Sequence, residues 1–124
     1  MAVGCQDDTI PDEAFTSSSA YSESSGPAAG RLHHSGDIGW SKSLADTDPW
    51  LQIDLIAVRL VTGVATQGNK VHGNYVKTYF LAYSLDGIDW TNYFQGGSKV
   101  LSVLLYLYCG FMSIKFKFLE ASVK

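Results

Sequence analysis

Trp50-Leu51-Gln52-Ile53-Asp54-Leu55 places Leu51, Ile53 and Leu55 on one face of an extended chain and Trp50, Gln52 and Asp54 on the other. That alternation reads as a half-buried strand. Outward from it, Val58 to Thr66 is a second β-branched run, ending in the turn-like cluster Thr66-Gln67-Gly68-Asn69-Lys70. Tyr75 to Ser84 reads as a third strand, with Tyr75, Tyr79, Leu81 and Tyr83 on one face. It meets Asp86-Gly87, a dipeptide suited to a tight hairpin because both residues tolerate positive φ. Asp89, Trp90, Asn92, Tyr93 and Phe94 begin the returning strand. No amphipathic helix of useful length appears before residue 100, so short strands and turn signals predict an all-β sandwich or jelly roll.

Towards the N-terminus, Gln6, Asp7, Asp8, Asp12 and Glu13 form a polar, acidic lead-in. Thr16 to Gly30 is rich in Ser, Ala and Gly but punctuated by Tyr21, and with Phe15 before it reads as a short strand followed by an exposed loop. A second loop-like region runs from His33 to Pro49, with Trp40 in its middle. Towards the C-terminus the character changes. Val100 to Ile114 is interrupted only by Ser102, Cys109, Gly110 and Ser113, and Lys115, Lys117 and Lys124 follow. Fifteen residues fall short of the roughly 20 that span a bilayer as a helix. A buried strand pair, a membrane-seeking tail and a segment foreign to the domain are the three readings of this stretch.

The chain has 124 residues, one domain's worth, and is 46% hydrophobic, 13% aromatic and 17% charged. Its net charge is −3 and its nine Lys and Arg are scattered, which argues against nucleic acid as a partner. There is no G-x-S-x-G elbow, no H-E-x-x-H and no P-loop, so the domain is expected to be non-catalytic. Cys5 and Cys109 lack metal-ligand spacing, and a disulfide between them is open. The N-terminus shows no signal peptide and the chain has no Asn-x-Ser/Thr sequon.

Eight pieces in order carry a resemblance: Gly4-Cys5, Phe15 to Ser19, Ala29-Gly30-Arg31-Leu32, Gly39-Trp40, Trp50 to Leu55, Val61 to Gly68, Tyr75 to Tyr79, and Tyr83 to Trp90. In this order and spacing the chain resembles the discoidin family, also known as the coagulation factor V/VIII C-type domain. The resemblance covers residues 4–100 and implies a discoidin-like jelly-roll β-sandwich of the galactose-binding-domain type. Residues 101–124 form an apolar tail that does not match. The family's Phe-x-Gly-Asn element, Arg-rich strand and closing Cys are missing from it, so the C-terminal strands are expected to be incomplete or replaced. The resemblance pairs Cys5 with that closing Cys; here the partner is missing, or is Cys109. A truncated or alternatively spliced transcript accounts for both the absent signal and the foreign tail, and makes a fragment unable to complete its sandwich the third functional reading.

The family binds rather than catalyses, through three loops at one end of the sandwich, on anionic phospholipid, glycan, collagen or protein. By position the loops here are Tyr21 to Gly30, His34 to Asp48 and Gly68 to Tyr75. The ligand-binding candidates they supply are Tyr21, Ser24, Ser25, His34, Trp40, Lys42, Asn69, Lys70, His72 and Asn74. Lipid binding requires apolar tips with cations behind them. The first loop offers Ser, Gly, Pro and Ala, and the basic Arg31, Lys42, Lys70 and Lys77 are offset by Asp37, Asp46 and Asp48. A cell-surface glycan or extracellular protein is therefore placed ahead of a phosphatidylserine surface.

Trp40 is read either as a stacking platform or as packing at the loop base, and Trp50 and Trp90 as core or rim aromatics. Arg31 and Asp54 are read as a buried ion pair that organises the loops, against ligand contact as the alternative. His33, His34 and His72 are read as without a ligand role, against metal binding or pH sensing as the alternative. Asp7, Asp8 and Asp12 are hard oxygen donors able to hold Ca²⁺, or else a solvated lead-in. An extracellular or cell-surface location is what the resemblance implies.

Overall fold

The computed structural model describes residues 10–31, 39–61, 64–65, 68, 73, 75–94, 96–98, 100–102, 104–105 and 109–122. Their strands are β1 (Phe15–Ser17), β2 (Trp50–Val61), β3 (Val64–Ala65), β4 (Tyr75–Ser84), β5 (Thr91–Asn92), β6 (Val100–Ser102), β7 (Leu104–Leu105) and β8 (Cys109–Ser122). The main sheet runs β1-β2-β8-β4-β5, with β6 also on β4, and β3 pairs β7 in a small second sheet. The all-β expectation holds.

β2 forms as its alternation predicts. Leu51, Ile53 and Leu55 are buried, while Gln52 is half-buried and Asp54 exposed. Phe15 on β1 sits opposite Ile53, and Ser17 opposite Leu51. Short 3-10 turns at Asp12–Ala14 and Pro27–Gly30 add Ala14 and Ala29 to the same core, together with Ile10. The cost of ordering this chain is met largely by such apolar burial, worth about 1.5–3 kcal/mol for a fully buried large side chain.

The run beginning at Val58 is not a separate strand, as the sequence suggested, but the continuation of β2. The Asp54 carboxylate accepts the Ile56 amide at 2.8 Å, Ile56 takes φ +69°, and the register to β8 shifts between Asp54 and Arg59. A side-chain-stabilised bulge thus bends one strand where two were expected.

β4 spans Tyr75 to Ser84 as expected, with Tyr79 and Leu81 wholly buried and Tyr83 half-buried. The hairpin that follows is longer than the Asp86-Gly87 signal implied. Only Gly87 has positive φ there, at +75°, and β5 begins at Thr91. The reason is Asp86 itself, whose Oδ1 accepts the amides of Ile88 and Asp89 and the hydroxyl of Ser84, folding the chain into a wider turn.

The tail supplies a strand: the backbone of residues 109–122 runs as β8 between β2 and β4, antiparallel to both. Trp50 and Phe80 both sit opposite Lys117, and Asp54 and Ser84 both sit opposite Ser113. Two strands running the same way would otherwise each present an unpaired row of backbone groups, and an antiparallel strand between them satisfies both rows. Among the described residues no helix is long and apolar enough to cross a membrane.

Because β2 and β4 run in the same direction, the described residues entering them, 39–49 and Gly73, lie at one end of the sheet. That end is where the binding loops were expected.

Candidate functional site

The first loop is built from two 3-10 turns, Glu23–Ser25 and Pro27–Gly30. Ser22 and Ser25 form a reciprocal capping box: the Ser22 amide donates to Ser25 Oγ at 3.0 Å, and the two hydroxyls lie 2.9 Å apart. Ser25 is therefore buried and its hydroxyl engaged within the turn, so it shapes the loop and is not presented to a ligand as the sequence suggested. Ser24 is exposed, 3.1 Å from the Ser22 hydroxyl, and Tyr21 is 63% exposed.

The second loop is laced to the first through the backbone. The Tyr21 amide donates to Ser41 O at 2.7 Å, and the Ser41 amide to Ser25 O at 3.1 Å. Trp40 is half-buried and its Nε1 donates to Ser19 O at 2.9 Å. Its Cβ stands 3.3 Å from where a Cβ on Gly30 would project, with Leu51 Cδ2 at 3.0 Å. Trp40 thus packs at the loop base.

Asp46, read from sequence only as an offsetting charge, is the hub. Its Oδ2 accepts the hydroxyls of Ser18 and Ser19, both at 2.6 Å, and its Oδ1 accepts the Asp48 amide at 3.1 Å. These bonds, those from Ser18 and Ser19 foremost, hold its carboxyl below the ordinary 3.8, helped by Lys42 and opposed by desolvation. Lys42 Nζ donates to Asp46 O at 2.9 Å and to Ser43 O at 3.3 Å, so this cation curls back over its own loop. Ser18 also receives the Trp50 amide on its hydroxyl, tying the hub to the first residue of β2. The Ser17-Ser18-Ser19 run was the available signal: three hydroxyls beside a strand end are turn and loop fasteners.

Between these fasteners Leu44 stands 84% exposed. It is the apolar loop tip that was sought in the first loop and lies in the second. Trp50 and Trp90 are both half-buried, in keeping with rim aromatics.

Arg31 does not pair with Asp54. It is buried, with Nη2 donating to Asp12 Oδ1 at 2.8 Å and Ile10 O at 2.7 Å, and its guanidinium carbon lies 4.7 Å from the Phe15 ring centroid. Asp54 instead points to solvent and stabilises the bulge. The β2 alternation dictates this, since Asp54 falls between the buried Ile53 and Leu55 and so faces away from the core they fill. Asp12 is therefore the counter-ion of Arg31, and among the described residues no group of three His, Cys, Asp or Glu is placed to hold a metal. Asp7, Asp8, Cys5, His33, His34, Asn69, Lys70, His72 and Asn74 lie outside the described residues, as does the side chain of Cys109.

A strand-dominated sandwich with laced loops gathered at one end is the frame of a binding module. The chain belongs to the F5/8 type C domain family, whose model matches residues 14–103. It is 41% identical over 108 residues to lactadherin of Mus musculus, covering 79% of this chain and 23% of that protein. Among solved structures it is similar to discoidin II of Dictyostelium discoideum, with a TM-score of 0.72 at 20% identity, over 87% of this chain and 49% of that one. It is likewise similar to a module of Clostridium perfringens solved in complex with GalNAc-β-1,3-galactose, with a TM-score of 0.63 at 16% identity, over 90% and 88% of the two chains. The chain spans about a quarter of the length of the lactadherins that it matches.

Proposed function

We propose that this chain is a non-catalytic, extracellular or cell-surface recognition module that binds a cell-surface glycan or protein ligand at the loop end. The observation that carries this reading is the pairing of a rigid base with exposed tips. Tyr21 and Leu44 project on two loops whose backbones are bonded to each other and whose turns are closed by Ser22–Ser25 and Ser18/Ser19–Asp46. A pre-ordered loop surface loses little entropy on binding, and an exposed Tyr offers both a ring face for a sugar and a hydroxyl to bond it. The fold shared with the galactoside-bound Clostridium module is compatible with that ligand class. A glycan array with the folded chain tests the reading. Binding competed by free sugar and lost in Tyr21→Ala supports it; silence across a broad array, with no protein ligand on a matching cell surface, counts against it.

Leu44 favours a second reading, a peripheral binder of anionic phospholipid such as phosphatidylserine. An isolated, exposed Leu at a loop tip is the kind of side chain that enters a membrane interface, where burial of its surface contributes about 25 cal/mol per Å². Co-sedimentation with phosphatidylserine and phosphatidylcholine vesicles, at low and physiological salt, separates the two. Selective binding to the serine lipid, lost in Leu44→Ser and in Lys70→Ala/Lys77→Ala, selects the membrane.

A further inference from the structure

The loops occupy one end of the sheet; the other end has a surface of its own. Asp54 on β2 and Ser84 on β4 flank Ser113 of β8, so their Cα atoms are two inter-strand spacings, about 10 Å, apart. Just beyond this rung the chain presents Ile56 and Val58 from the β2 bulge, and Leu85 and Ile88 from the hairpin after β4. All four are more than half exposed, Ile88 reaching 79%. Scattered exposed apolar residues need no explanation, but four from two segments whose strands flank one rung of β8 mark a candidate surface.

Two further observations say what would cover it. The patch is held rigid by its own polar groups: Asp54 accepts the Ile56 amide, Ser84 Oγ accepts the Gly87 amide, and Asp86 accepts the Ile88 and Asp89 amides. The rim is acidic. Asp54, Asp86 and Asp89 are all exposed there, and Asp86 is held ionised. In sequence the two segments, 54–59 and 84–89, carry those three Asp against a single Arg. The basic side chain of Lys42 belongs to the loop end, and that of Arg31 is buried against Asp12 and Ile10.

We infer that the pole formed by Ile56, Val58, Leu85 and Ile88 is a second recognition surface, and that its occupant is a protein presenting apolar side chains flanked by Lys or Arg. An apolar centre with a charged rim is the anatomy of a protein interface, and the sign of the rim selects the partner. A second copy of the chain fits poorly, because a two-fold contact through this pole sets aspartates against aspartates. An anionic membrane meets the same repulsion.

The test uses the full chain and a synthetic amphipathic helical peptide with a leucine face flanked by lysines, alongside the same peptide with glutamates in place of the lysines, read by fluorescence anisotropy. The lysine peptide binds about tenfold more tightly than its glutamate twin, and Leu85→Ser/Ile88→Ser lowers that affinity about tenfold. Asp89→Lys narrows the preference, and Leu44→Ser leaves binding unchanged. The substituted side chains are exposed, so the variants fold, as a thermal melt will show. Equal binding of the two peptides, no binding of either, or loss with Leu44→Ser overturns the proposal. So does concentration-dependent dimerisation abolished by Ile88→Ser, which assigns the patch to a second copy.

Discussion

The Ser19 hydroxyl donates to Asp46 Oδ2 at 2.6 Å, across 27 residues of chain. Ser19 Oγ also accepts the Ser43 amide at 3.0 Å, while the Ser19 carbonyl accepts Trp40 Nε1 at 2.9 Å. One small residue at the exit of β1 therefore fastens the second loop at three points. Ser19→Ala removes two of them and leaves the Ser43 amide to find water. The expected result is a Tm lower by a few degrees, with weaker ligand binding at the loop end beyond what the lost stability explains. Differential scanning calorimetry beside a binding isotherm checks both, and an unchanged isotherm separates the fastener from recognition.

Gly30 is fixed by space. A Cβ there meets Leu51 Cδ2 at 3.0 Å and Trp40 Cβ at 3.3 Å, and the strand and the loop base have little room to retreat. Gly30→Ala is expected to cost about 1–3 kcal/mol by overpacking, read from urea denaturation. Gly39 is the contrast: its φ is +72° with open space around it, so Gly39→Ala strains the backbone alone, by about 1–2 kcal/mol.

Legibility in the sequence followed the range of the forces involved. The Trp50 to Leu55 alternation is local and was readable, as was β4, because burial imposes a period of two on neighbouring residues. The bulge at Ile56 was not, since it depends on one carboxylate turning back to one amide two residues on. The place of residues 109–122 was hidden for another reason. Hydrophobicity assigns a strand no neighbours, and only the backbone pairing places β8 between β2 and β4. At the site, exposed Tyr21 was legible as a loop aromatic, whereas Arg31 was given the wrong carboxylate. Asp12 and Asp54 look alike in sequence, and only the turn before β1 and the outer face of β2 distinguish them.

The core predicts a contrast between neighbours on one element and its turn. Leu81 is wholly buried on β4, so Leu81→Ala is expected to cost about 2–5 kcal/mol through lost transfer energy and the cavity left behind. Ile88, in the hairpin that follows, is 79% exposed, and Ile88→Ser is expected to stay within about 0.5 kcal/mol of the parent. Chemical denaturation of both variants checks the pair. A large loss at Ile88 means that its hairpin packs against the domain, which also removes it from the proposed second surface.

Asp86 predicts a pH dependence with a definite sign. The amides of Ile88 and Asp89 and the Ser84 hydroxyl bond its ionised form and lower its pKa from 3.8 to about 2. The folded chain therefore holds this proton less tightly than the unfolded one, so the group stabilises the fold above its unfolded pKa. That contribution is lost as pH falls from about 4 towards about 2. Asp86→Asn keeps one acceptor oxygen but no charge, and is expected to lower Tm at pH 7 while flattening the decline in that window. Thermal melts at half-unit pH steps make the comparison. Parallel curves for parent and variant place the acid sensitivity elsewhere; converging curves at low pH place it at the hairpin, where the loss of the Asp86 bonds frees the Ile88 and Asp89 amides.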